Sequence, residues 1–536
     1  MIRWSTIGLL FGILVAGVLY DRIDRAPEPE PEPLPAALAP SSPALVEPPL
    51  LSNVWFCPVG SGSADGYATH QLNLTNIGDQ PAVANIDLMT DAGPGSGLRV
   101  EIGPLSSETI DLPTLDQAMW LGATVEIVNG QGVVGHTVTT AQGIAQGPCA
   151  SATSSSWYFA DGVTTRDSNE YLALLNPFAE DVVFSMSFET SGRTRAPEDL
   201  KAAVVPGRSV RVIDVGQYVS REANVATVIQ TVRGQLAVER LQMANGALGP
   251  VGVSLQLGIS TPLRSWTFPA GRVHAGGDQR IVIFNPGLDP AEVDIEFDLA
   301  PADRASYGLV PVEAVVQPGR FTVVDIEAVL TQAGLPLPYD FGVRVVSAND
   351  VPVVAERWQV APSIDQSLIG AGGTDARIAG PSLPGWRGRQ TDSDPDEVPE
   401  DEAPPVQATA APLVQPSALT GLGASAGSPV VARSWVLAWL SLTSTPGEAV
   451  EGAGNAIVVT GPAGATVEVS LIVAGELLSG VRATIPDAGW VSMPIPALVG
   501  GAPLRIEADQ PVVAEAILVG PDGRLSLVPA IPVIER

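Results

Sequence analysis

Two stretches of the chain share one pattern of apolar and polar residues. Residues 171–185 (YLALLNPFAEDVVFS) and 280–294 (RIVIFNPGLDPAEVD) each contain an apolar run that ends at Asn-Pro, and a second strand-like run follows. Proline cannot donate to a sheet ladder, and an asparagine side chain can stabilise a local turn. The pairs Asn176-Pro177 and Asn285-Pro286 are therefore predicted to end one strand and begin a hairpin loop.

Strict alternation follows the second pair. In AEVDIEFDL at 291–299, Val293, Ile295, Phe297 and Leu299 lie on one face, and acidic residues take the other. A period of two is typical of a half-buried antiparallel strand. The two Asn-Pro pairs lie 109 residues apart, which is the length of one β-sandwich domain. The pattern therefore predicts tandem β-sandwiches.

Four copies of this pattern can be followed along the chain. Each begins with a tryptophan near a strand start: Trp55, Trp157, Trp266 and, less distinctly, Trp435. An apolar strand, a turn and a closing strand follow in each copy. These tryptophans are predicted to be buried structural residues, as is usual for large aromatic side chains in a sandwich core.

The closing strands carry a recurring glutamate. Glu239 and Glu356 precede Arg240 and Arg357, Glu515 precedes an alanine, and His136 takes the same position in our alignment of the first copy. A glutamate that recurs at one strand position indicates a structural hydrogen bond or ion pair with the next arginine. The catalytic alternative would need a second carboxylate, and none recurs with it.

The predicted fold class is all-β, with tandem Ig-like or related β-sandwich domains after an N-terminal transmembrane helix. The predicted segments are a transmembrane signal anchor at 1–22, a Pro/Glu-rich stalk at 23–52, sandwiches at 53–152, 153–263, 264–379 and 431–536, and a disordered acidic, Pro- and Ala-rich linker at 380–430. The linker composition cannot bury enough apolar surface to fold. The fourth domain is therefore expected to be tethered and mobile.

The first twenty residues contain an apolar stretch from about Trp4 to Tyr20. Its length is near the lower limit for spanning a bilayer as a helix. A cleaved signal peptide is the alternative, but no convincing cleavage site follows. We therefore expect a single-pass cell-membrane protein with an extracytoplasmic ectodomain, held away from the membrane by an extended polyproline stalk.

Charge and cysteine content narrow the class of protein. The chain has 58 acidic and 28 basic residues and a net charge of −30, which argues against binding nucleic acid or anionic membrane surfaces. Cys57 and Cys149 are the only cysteines. A disulfide within the first domain is their simplest use in an oxidising compartment, and two buried free thiols are the alternative.

No catalytic, cofactor-binding or metal-binding residue is predicted. The stretch GASAG at 423–427 matches GxSxG, but a nucleophile elbow needs a strand before it, a helix after it and a later histidine. This match lies in the predicted linker, and His70, His136 and His274 all precede it. We interpret the match as chance.

The repeats resemble a known family. WYFADG at 157–162, Asn176-Pro177, the PGR at 206–208 and the Glu239-Arg240 pair are similar to the repeats of an uncharacterised actinobacterial cell-envelope family, known only as a domain of unknown function, the 5719 family. The third copy matches similarly, and the first and fourth match weakly. The resemblance implies a secreted or anchored envelope protein and brings no catalytic residues.

Three functional hypotheses follow. The leading one is a non-enzymatic envelope protein that acts as a structural or interaction scaffold for another envelope protein. The second is a protein that binds cell-wall glycan, which requires exposed aromatic residues. The third is a hydrolase, which requires paired carboxylates about 5–10 Å apart in a cleft.

Overall fold

The computed structural model describes residues 42–46, 52–246, 250–273, 278–337, 339–362, 419–438, 456–495, 502–519 and 525–534. The chain divides into two compact units, Met1–Pro40 and Ser41–Arg536, and the described residues belong to the second. The predicted anchor at 1–22 lies outside them. Within the described ranges, no helix is long and apolar enough to cross a bilayer.

The described chain is all-β, with sheets that pair into four sandwich-like bodies, here called sandwiches I to IV. Sandwich I contains β1 (Ser52–Cys57), β2 (Thr69–Asn76), β3 (Ala82–Thr90), β4 (Gly93–Ile102), β5 (Ser106–Asp111), β6 (Leu121–Val128), β7 (Gly132–Thr140) and β8 (Gly143–Pro148). Its two sheets have the orders β1-β6-β3-β4 and β5-β2-β7-β8. Alternating apolar residues of β3, such as Ala84, Ile86 and Leu88, are buried between them, as the pleat requires.

Sandwich II repeats this arrangement. It contains β9 (Ser156–Phe159), β10 (Ser168–Asn176), β11 (Val182–Glu189), β12 (Thr194–Arg195), β13 (Ala203–Val205), β14 (Ser209–Asp214), β15 (Ala226–Arg233), β16 (Ala237–Asn245) and β17 (Val251–Leu257). One sheet has the order β12-β11-β15-β9, with β13 also paired to β11. The other begins β14-β10-β16-β17 and continues into the next sandwich.

Sandwich III contains β18 (Ser265–Val273), β19 (Asp278–Asn285), β20 (Ala291–Asp298), α1 (Pro301–Tyr307), β21 (Val312–Val316), β22 (Arg320–Asp325), α2 (Ile326–Gln332), β23 (Tyr339–Ser347), β24 (Val354–Pro362) and β25 (Leu419–Ala426). One sheet has the order β18-β23-β20-β21. In the other, β25-β24-β19-β22 continues the sheet of sandwich II through a parallel contact between β17 and β25. Asp325 caps α2 by accepting from the Ala328 N–H.

Sandwich IV contains β26 (Ala432–Leu437), β27 (Ala456–Thr460), β28 (Thr466–Val473), β29 (Glu476–Thr484), β30 (Trp490–Pro494), β31 (Leu504–Val519), β32 (Leu525–Pro529) and β33 (Ile531–Val533). The long strand β31 serves both sheets. Its first half pairs with β26 and β28, and its second half pairs with β27 and β32.

The tryptophans that begin each pattern are all buried. Trp55, Trp157, Trp266 and Trp435 are each exposed by no more than 1%. The indole N–H of Trp157 donates to Leu236 O, that of Trp266 to Val353 O and that of Trp435 to Val512 O. A buried indole usually has such a partner, but the Trp55 N–H has none among the described residues. In each of the three bonds the acceptor lies three residues before the recurring glutamate, so the tryptophan fixes the first strand against the closing strand.

The Asn-Pro asparagines are buried turn residues. Asn176 and Asn285 each accept a backbone N–H two residues further on. Through Nδ2, Asn176 donates to three carbonyl groups and Asn285 to two. Strands β10 and β19 end at these asparagines, and Pro177 and Pro286 follow them. Asn76 makes the same set of bonds in sandwich I, although Ile77 replaces the proline.

The predicted disordered linker at 380–430 is wrong at its C-terminal end. Residues 419–426 form β25, which pairs antiparallel with β24 and completes sandwich III. The interval between β24 and β25 is therefore an insertion within one hairpin of sandwich III, and the predicted end of that domain at 379 is also wrong. The composition at 419–427 is rich in Gly and Ala because the strand packs closely: a Cβ on Gly423 would lie 2.6 Å from the Leu527 side chain.

The expectation of a mobile fourth domain is also wrong. Sandwich IV packs against sandwiches I and III within one compact unit. Thr75 Oγ1 donates to Ala438 O at 2.9 Å, and Thr460 Oγ1 donates to Pro269 O. Apolar residues of sandwiches I, II and IV share one buried cluster, so the sandwiches are joined by core-like contacts.

The last part of the predicted stalk is likewise packed against the fold. Residues 42–46, here called the strap, lie across sandwiches I and IV. Ser151 N donates to Pro43 O, while Val46 N donates to Pro532 O and Ile534 N donates to Val46 O. Val46 is 1% exposed. The remainder of the stalk, at 23–41 and 47–51, lies outside the described residues.

Cys57 and Cys149 form a disulfide across sandwich I. Cys57 lies two residues after Trp55 and corresponds to Phe159 of sandwich II, which lies two residues after Trp157. Cys149 corresponds to Gly258 of sandwich II. In sandwich II the Phe159 ring fills this space, since a Cβ on Gly258 would lie 3.0 Å from it. A covalent bridge in sandwich I thus replaces an aromatic ring packed on a glycine.

Removing the bridge is expected to destabilise the protein. The cysteines are separated by 92 residues, and closing a loop of this size lowers the free energy of the folded state by about 4–5 kcal/mol relative to the unfolded chain. The double variant Cys57→Ala/Cys149→Ala should lose this amount in urea denaturation. Dithiothreitol should destabilise the wild type and leave the double variant unchanged, and equal stability of the two proteins would contradict the prediction.

Candidate functional site

Charged side chains of the closing strands meet at the seams between sandwiches. The set is His136 on β7, Glu239 and Arg240 on β16, Glu356 and Arg357 on β24, and Glu515 on β31. Each of these residues is exposed by no more than 3%. Buried charges are costly unless they are paired, so the contacts among them determine how the seams hold together.

Three buried pairs link each sandwich to the next along the chain. His136 Nε2 lies 2.8 Å from Glu239 Oε1, between sandwiches I and II. Arg240 Nη1 lies 3.0 Å from Glu356 Oε2, and Arg357 Nη2 lies 2.5 Å from Glu515 Oε2. We call this series of pairs the relay.

Each arginine pairs with the glutamate of the following sandwich and not with the glutamate that precedes it in sequence. Glu239 and Arg240 are neighbours on one strand, and neighbours on a strand point to opposite faces. One face of β16 therefore presents Glu239 to sandwich I, and the other presents Arg240 to sandwich III. Strand β24 uses Glu356 and Arg357 in the same way.

Strand pairing corrects our alignment of His136 by one residue. Glu239 lies opposite Ala173, three residues before Asn176, and Glu356 lies opposite Val282, three residues before Asn285. In sandwich I the residue opposite Asn73, three before Asn76, is Gly135. His136 therefore occupies the position of Arg240 and Arg357, and it contacts the next glutamate as they do.

The hydrogen bonds around His136 fix its proton. His70 Nδ1 lies 3.0 Å from Leu121 O, a group that can only accept, so His70 carries its proton on Nδ1. Burial lowers the pKa of His70 to about 3, so its Nε2 is a free acceptor. His136 Nδ1, 3.0 Å away, must donate to it. The contact between His136 Nε2 and Glu239 then requires one shared proton, which makes this pair neutral as a whole.

Glu356 receives the fullest set of partners. The backbone N–H groups of Ala160 and Asp161 donate to its two oxygens, and Arg240 adds the ion pair. The Arg240 guanidinium also contacts Asp161 O and lies over the Phe159 ring at 5.4 Å. Burial raises the pKa of Glu356, and the Arg240 charge opposes that rise.

Glu170 is a buried acid beside this pair that our reading of the sequence missed. It is fully buried, and neither carboxyl oxygen has a hydrogen-bond partner among the described residues. Burial raises its pKa to about 8; Arg240 lowers it, and the negative charges of Asp161 and Glu356 raise it further. The sequence did contain a signal for this position. Glu170 lies six residues before Asn176, and the residues six before Asn76 and Asn285 are also polar, His70 and Gln279.

The segment that carries most of the relay matches a family model. Residues 136–368 match the family of unknown function DUF5719. This agrees with the resemblance that the WYFADG, Asn-Pro and Glu-Arg motifs carry. The DUF5719 region begins at His136 and includes Glu239, Arg240, Glu356 and Arg357. Sandwich IV and most of sandwich I lie outside it.

Comparisons with other proteins add no function to the DUF5719 region. No curated protein matches the chain. Among solved structures, an α-L-rhamnosidase of Streptomyces avermitilis complexed with L-rhamnose aligns at 12% identity over 61% of this chain and 47% of the enzyme chain, with a TM-score of 0.11. A tetra-tandem repeat from the extending region of a large adhesion protein aligns at 11% identity over 90% and 99% of the two chains, with a TM-score of 0.10. Such low TM-scores carry no argument.

The seam between sandwiches IV and I lacks the relay. Gly135 and Ala516 stand where the glutamate and the arginine would be. A Cβ on Gly135 would lie 3.0 Å from the Ala438 Cβ, so this seam closes by direct approach of the backbones. Leu105 O accepts from Gly475 N, and the strap adds its own backbone bonds.

A cavity of about 80 Å³ is lined by residues of all four sandwiches and of the strap. Its polar lining includes Glu239, Gln256, Ser425 and Glu515. Glu239 Oε2 and Gln256 Nε2 have no partner among the described residues, and the volume suffices for water molecules. Ser425, the centre of the GxSxG match, is a residue of β25 and is 2% exposed. Its Oγ lies 3.3 Å from Arg357 Nη2.

Three aromatic rings form a cluster where sandwich I meets the DUF5719 region. The ring centroids of Tyr67, Trp120 and Tyr171 lie 5.3–5.4 Å from one another. Tyr67 is 49% exposed and Tyr171 is buried. The cluster therefore presents part of its aromatic surface to solvent, which is the feature that a glycan-binding surface requires.

Proposed function

We propose that this protein is a non-enzymatic, extracytoplasmic cell-envelope scaffold, anchored in the cell membrane by its N-terminal apolar segment. Its Ig-like or related sandwiches would present interaction surfaces at fixed relative positions. The observation that carries the proposal is the relay of buried pairs, His136–Glu239, Arg240–Glu356 and Arg357–Glu515.

The relay supports a scaffold because of how tandem domains ordinarily behave. Domains joined in one chain usually move relative to one another unless their interface is large and well packed. A buried ion pair between domains also demands a defined geometry, because misplaced partners leave an uncompensated charge. Three such pairs in series fix the order and orientation of the four sandwiches.

The proposed extracytoplasmic location is supported by three independent features. The Cys57–Cys149 disulfide fits an oxidising environment outside the cytoplasm. The apolar residues 4–20 are long enough to anchor the chain. The net charge of −30 keeps the ectodomain soluble and directs it away from nucleic acid.

A binding experiment with the full-length protein tests the proposal. The protein is incubated separately with purified wall polysaccharide and with solubilised envelope membranes, and chemical crosslinking with mass spectrometry identifies what it contacts. We expect a defined envelope protein to be crosslinked at residues of two or more sandwiches. The variant Arg357→Ala should lose the crosslinks that span sandwiches III and IV, whereas the exposed-site control Arg344→Ala should retain them.

The second candidate function is binding of cell-wall glycan, favoured by the Tyr67–Trp120–Tyr171 cluster. Sugar rings pack on exposed aromatic faces, and this cluster offers such a surface. Retention of the wild type by purified wall polysaccharide, with loss of retention in Trp120→Ala, would replace the scaffold proposal by this one. Retention by envelope proteins alone would exclude it.

A further inference from the structure

The four sandwiches contact one another in a closed ring. Strand β8 of sandwich I contacts β17 of sandwich II, β17 contacts β25 of sandwich III, β25 contacts β32 of sandwich IV, and β32 contacts β8. Short connections at 149–155, 258–264 and 427–431 join I to II, II to III and III to IV. Sandwiches I and IV are not consecutive in the chain, so non-covalent contacts alone close the ring between them.

The seam between sandwiches I and IV, here called the I–IV seam, also differs in its packing. Relay pairs cross the other three seams, and none crosses this one among the described residues. A cavity of about 10 Å³ lies in it, lined by residues of both sandwiches that include Gly135, His136, Ala438 and Ile531. This is about the space of one water molecule. If the ring opens while every sandwich stays folded, the I–IV seam is where we expect it to open.

The strap is bonded to both sides of the I–IV seam. On the side of sandwich I, Ser151 N donates to Pro43 O, and Leu45 N donates to Ser151 Oγ at 2.9 Å. On the side of sandwich IV, Val46 forms a parallel bridge with Val533 of β33. Leu45 and Val46 are 5% and 1% exposed, so the strap also removes apolar surface from water.

We propose that the strap is a latch that holds the ring closed, and that its release opens the I–IV seam while the three relay seams stay closed. Release breaks the bonds to sandwiches I and IV together. It also removes one wall of the cavity of about 80 Å³, because Ser42, Pro43 and Ala44 line that cavity. Opening of the ring therefore gives water access to the unpartnered atoms Glu239 Oε2 and Gln256 Nε2.

The place of the strap in the sequence determines what acts on it. Residues 1–41 precede the strap directly, so a force applied through them reaches the strap before it reaches any sandwich. This consequence rests on the proposed membrane anchor. The latch itself rests on contacts within the folded chain, so failure to crosslink any envelope protein would overturn the scaffold proposal and leave the latch unaffected.

An introduced thiol measures opening of the I–IV seam. The two native cysteines are bonded to each other, so a new cysteine is the only free thiol in the protein. Ile472 on β28 is 2% exposed and belongs to the apolar cluster shared with sandwich I. It lies three strands from β33 in its sheet, about 14 Å at the usual strand spacing. Labelling at Ile472→Cys therefore reports opening of the seam and not merely the loss of the strap as a cover.

Release of the strap by substitution is the test. Val46→Asp places a carboxylate at a buried position without a cation, which expels the strap. Maleimide labelling is measured on the full-length protein in detergent. We expect Val46→Asp/Ile472→Cys to be labelled about tenfold faster or more than Ile472→Cys, because burial of one valine corresponds to at least about this factor. The same substitution at Val232, which is 75% exposed, should leave the labelling rate of Ile472→Cys unchanged.

A second reporter separates opening of the seam from unfolding. Val360 is 3% exposed and belongs to an apolar cluster formed by residues of sandwiches II and III. Val360→Cys should be labelled at the same slow rate with and without Val46→Asp. Equal acceleration at both reporters would overturn the proposal by assigning the effect to general unfolding. An unchanged rate at Ile472→Cys would also overturn it, because the seam would then stay closed without the strap.

Discussion

Replacement of Arg240 by alanine is expected to lower the free energy of unfolding by about 3–5 kcal/mol. The guanidinium is 1% exposed and pairs with Glu356 across the seam between sandwiches II and III. Its removal leaves the Glu356 carboxylate buried without a cation. It also removes the donor to Gln256 Oε1. Urea denaturation at pH 7 measures the change.

Two further variants test the cause of this loss. Arg344, on the surface of sandwich III, pairs with Glu296 at 3.3 Å and is about half exposed. Arg344→Ala should cost less than about 1 kcal/mol, because exposed ion pairs contribute little. The double variant Arg240→Met/Glu356→Gln should recover part of the stability lost by Arg240→Ala, since neither charge of the pair is left buried and the glutamine oxygen can still accept from the Ala160 N–H. A loss below 1 kcal/mol for Arg240→Ala would show that the relay does not stabilise the fold.

Replacement of Glu170 by glutamine is expected to stabilise the protein at pH 8.5 and to have little effect at pH 4.5. Burial raises the pKa of Glu170 from 4.5 to about 8. Between these values the folded state binds a proton that the unfolded state has released, so the Glu170 contribution to stability falls as the pH rises through this range. At pH 8.5 nearly the full shift is expressed, and it corresponds to a gain on the order of 5 kcal/mol for the variant.

Comparison of the two proteins at each pH isolates Glu170 from other titrating groups. His70, whose pKa is lowered to about 3, has the opposite slope: its contribution is present above pH 6.5 and is lost as the pH falls from 6.5 towards 3. The His70 contribution is the same in the wild type and in the variant, so it cancels when their free energies of unfolding are subtracted. Glu198→Gln, at an exposed residue of sandwich II, should show no difference at either pH. An equal effect of Glu170→Gln at pH 4.5 and pH 8.5 would refute the prediction.

Features encoded in local pattern were predictable from the sequence. The alternation at 291–299 gave a strand whose apolar face, including Val293 and Ile295, is buried. The spacing of Trp157 and Trp266 identified core residues because a buried indole recurs where the first strand meets the closing strand. The disulfide was predictable because the two cysteines bracket one domain.

The partners in the relay were not predictable from the same information. Arg240 and Glu356 are 116 residues apart. The local sequence does not determine which of the two neighbouring sandwiches an arginine side chain contacts. The sequence alignment also placed His136 one residue out of register. Strand pairing corrected the alignment, because the residue opposite Asn73 is Gly135 and the residue opposite Leu72 is His136. The similarity of side chains did not show this.

Composition was misleading at β25. Gly423, Ala424 and Gly427 resemble a low-complexity linker, yet small residues stand there because neighbouring side chains leave no room. A Cβ on Gly427 would lie 2.9 Å from both the Trp266 and the Phe268 side chains. Dense packing and disorder can thus share one composition, and only the surrounding structure separates them.

The hairpin that β24 and β25 form has a consequence for how this protein can change in length. Its two strands pair as far as Pro362 and Leu419, with a register shift after Val360, so the interval between them starts and ends at neighbouring positions of one sheet. Doubling the length of a loop costs only about 0.6 kcal/mol. The 363–418 interval is therefore a site at which an epitope, a reporter or a whole additional domain can be inserted without altering the arrangement of the four sandwiches.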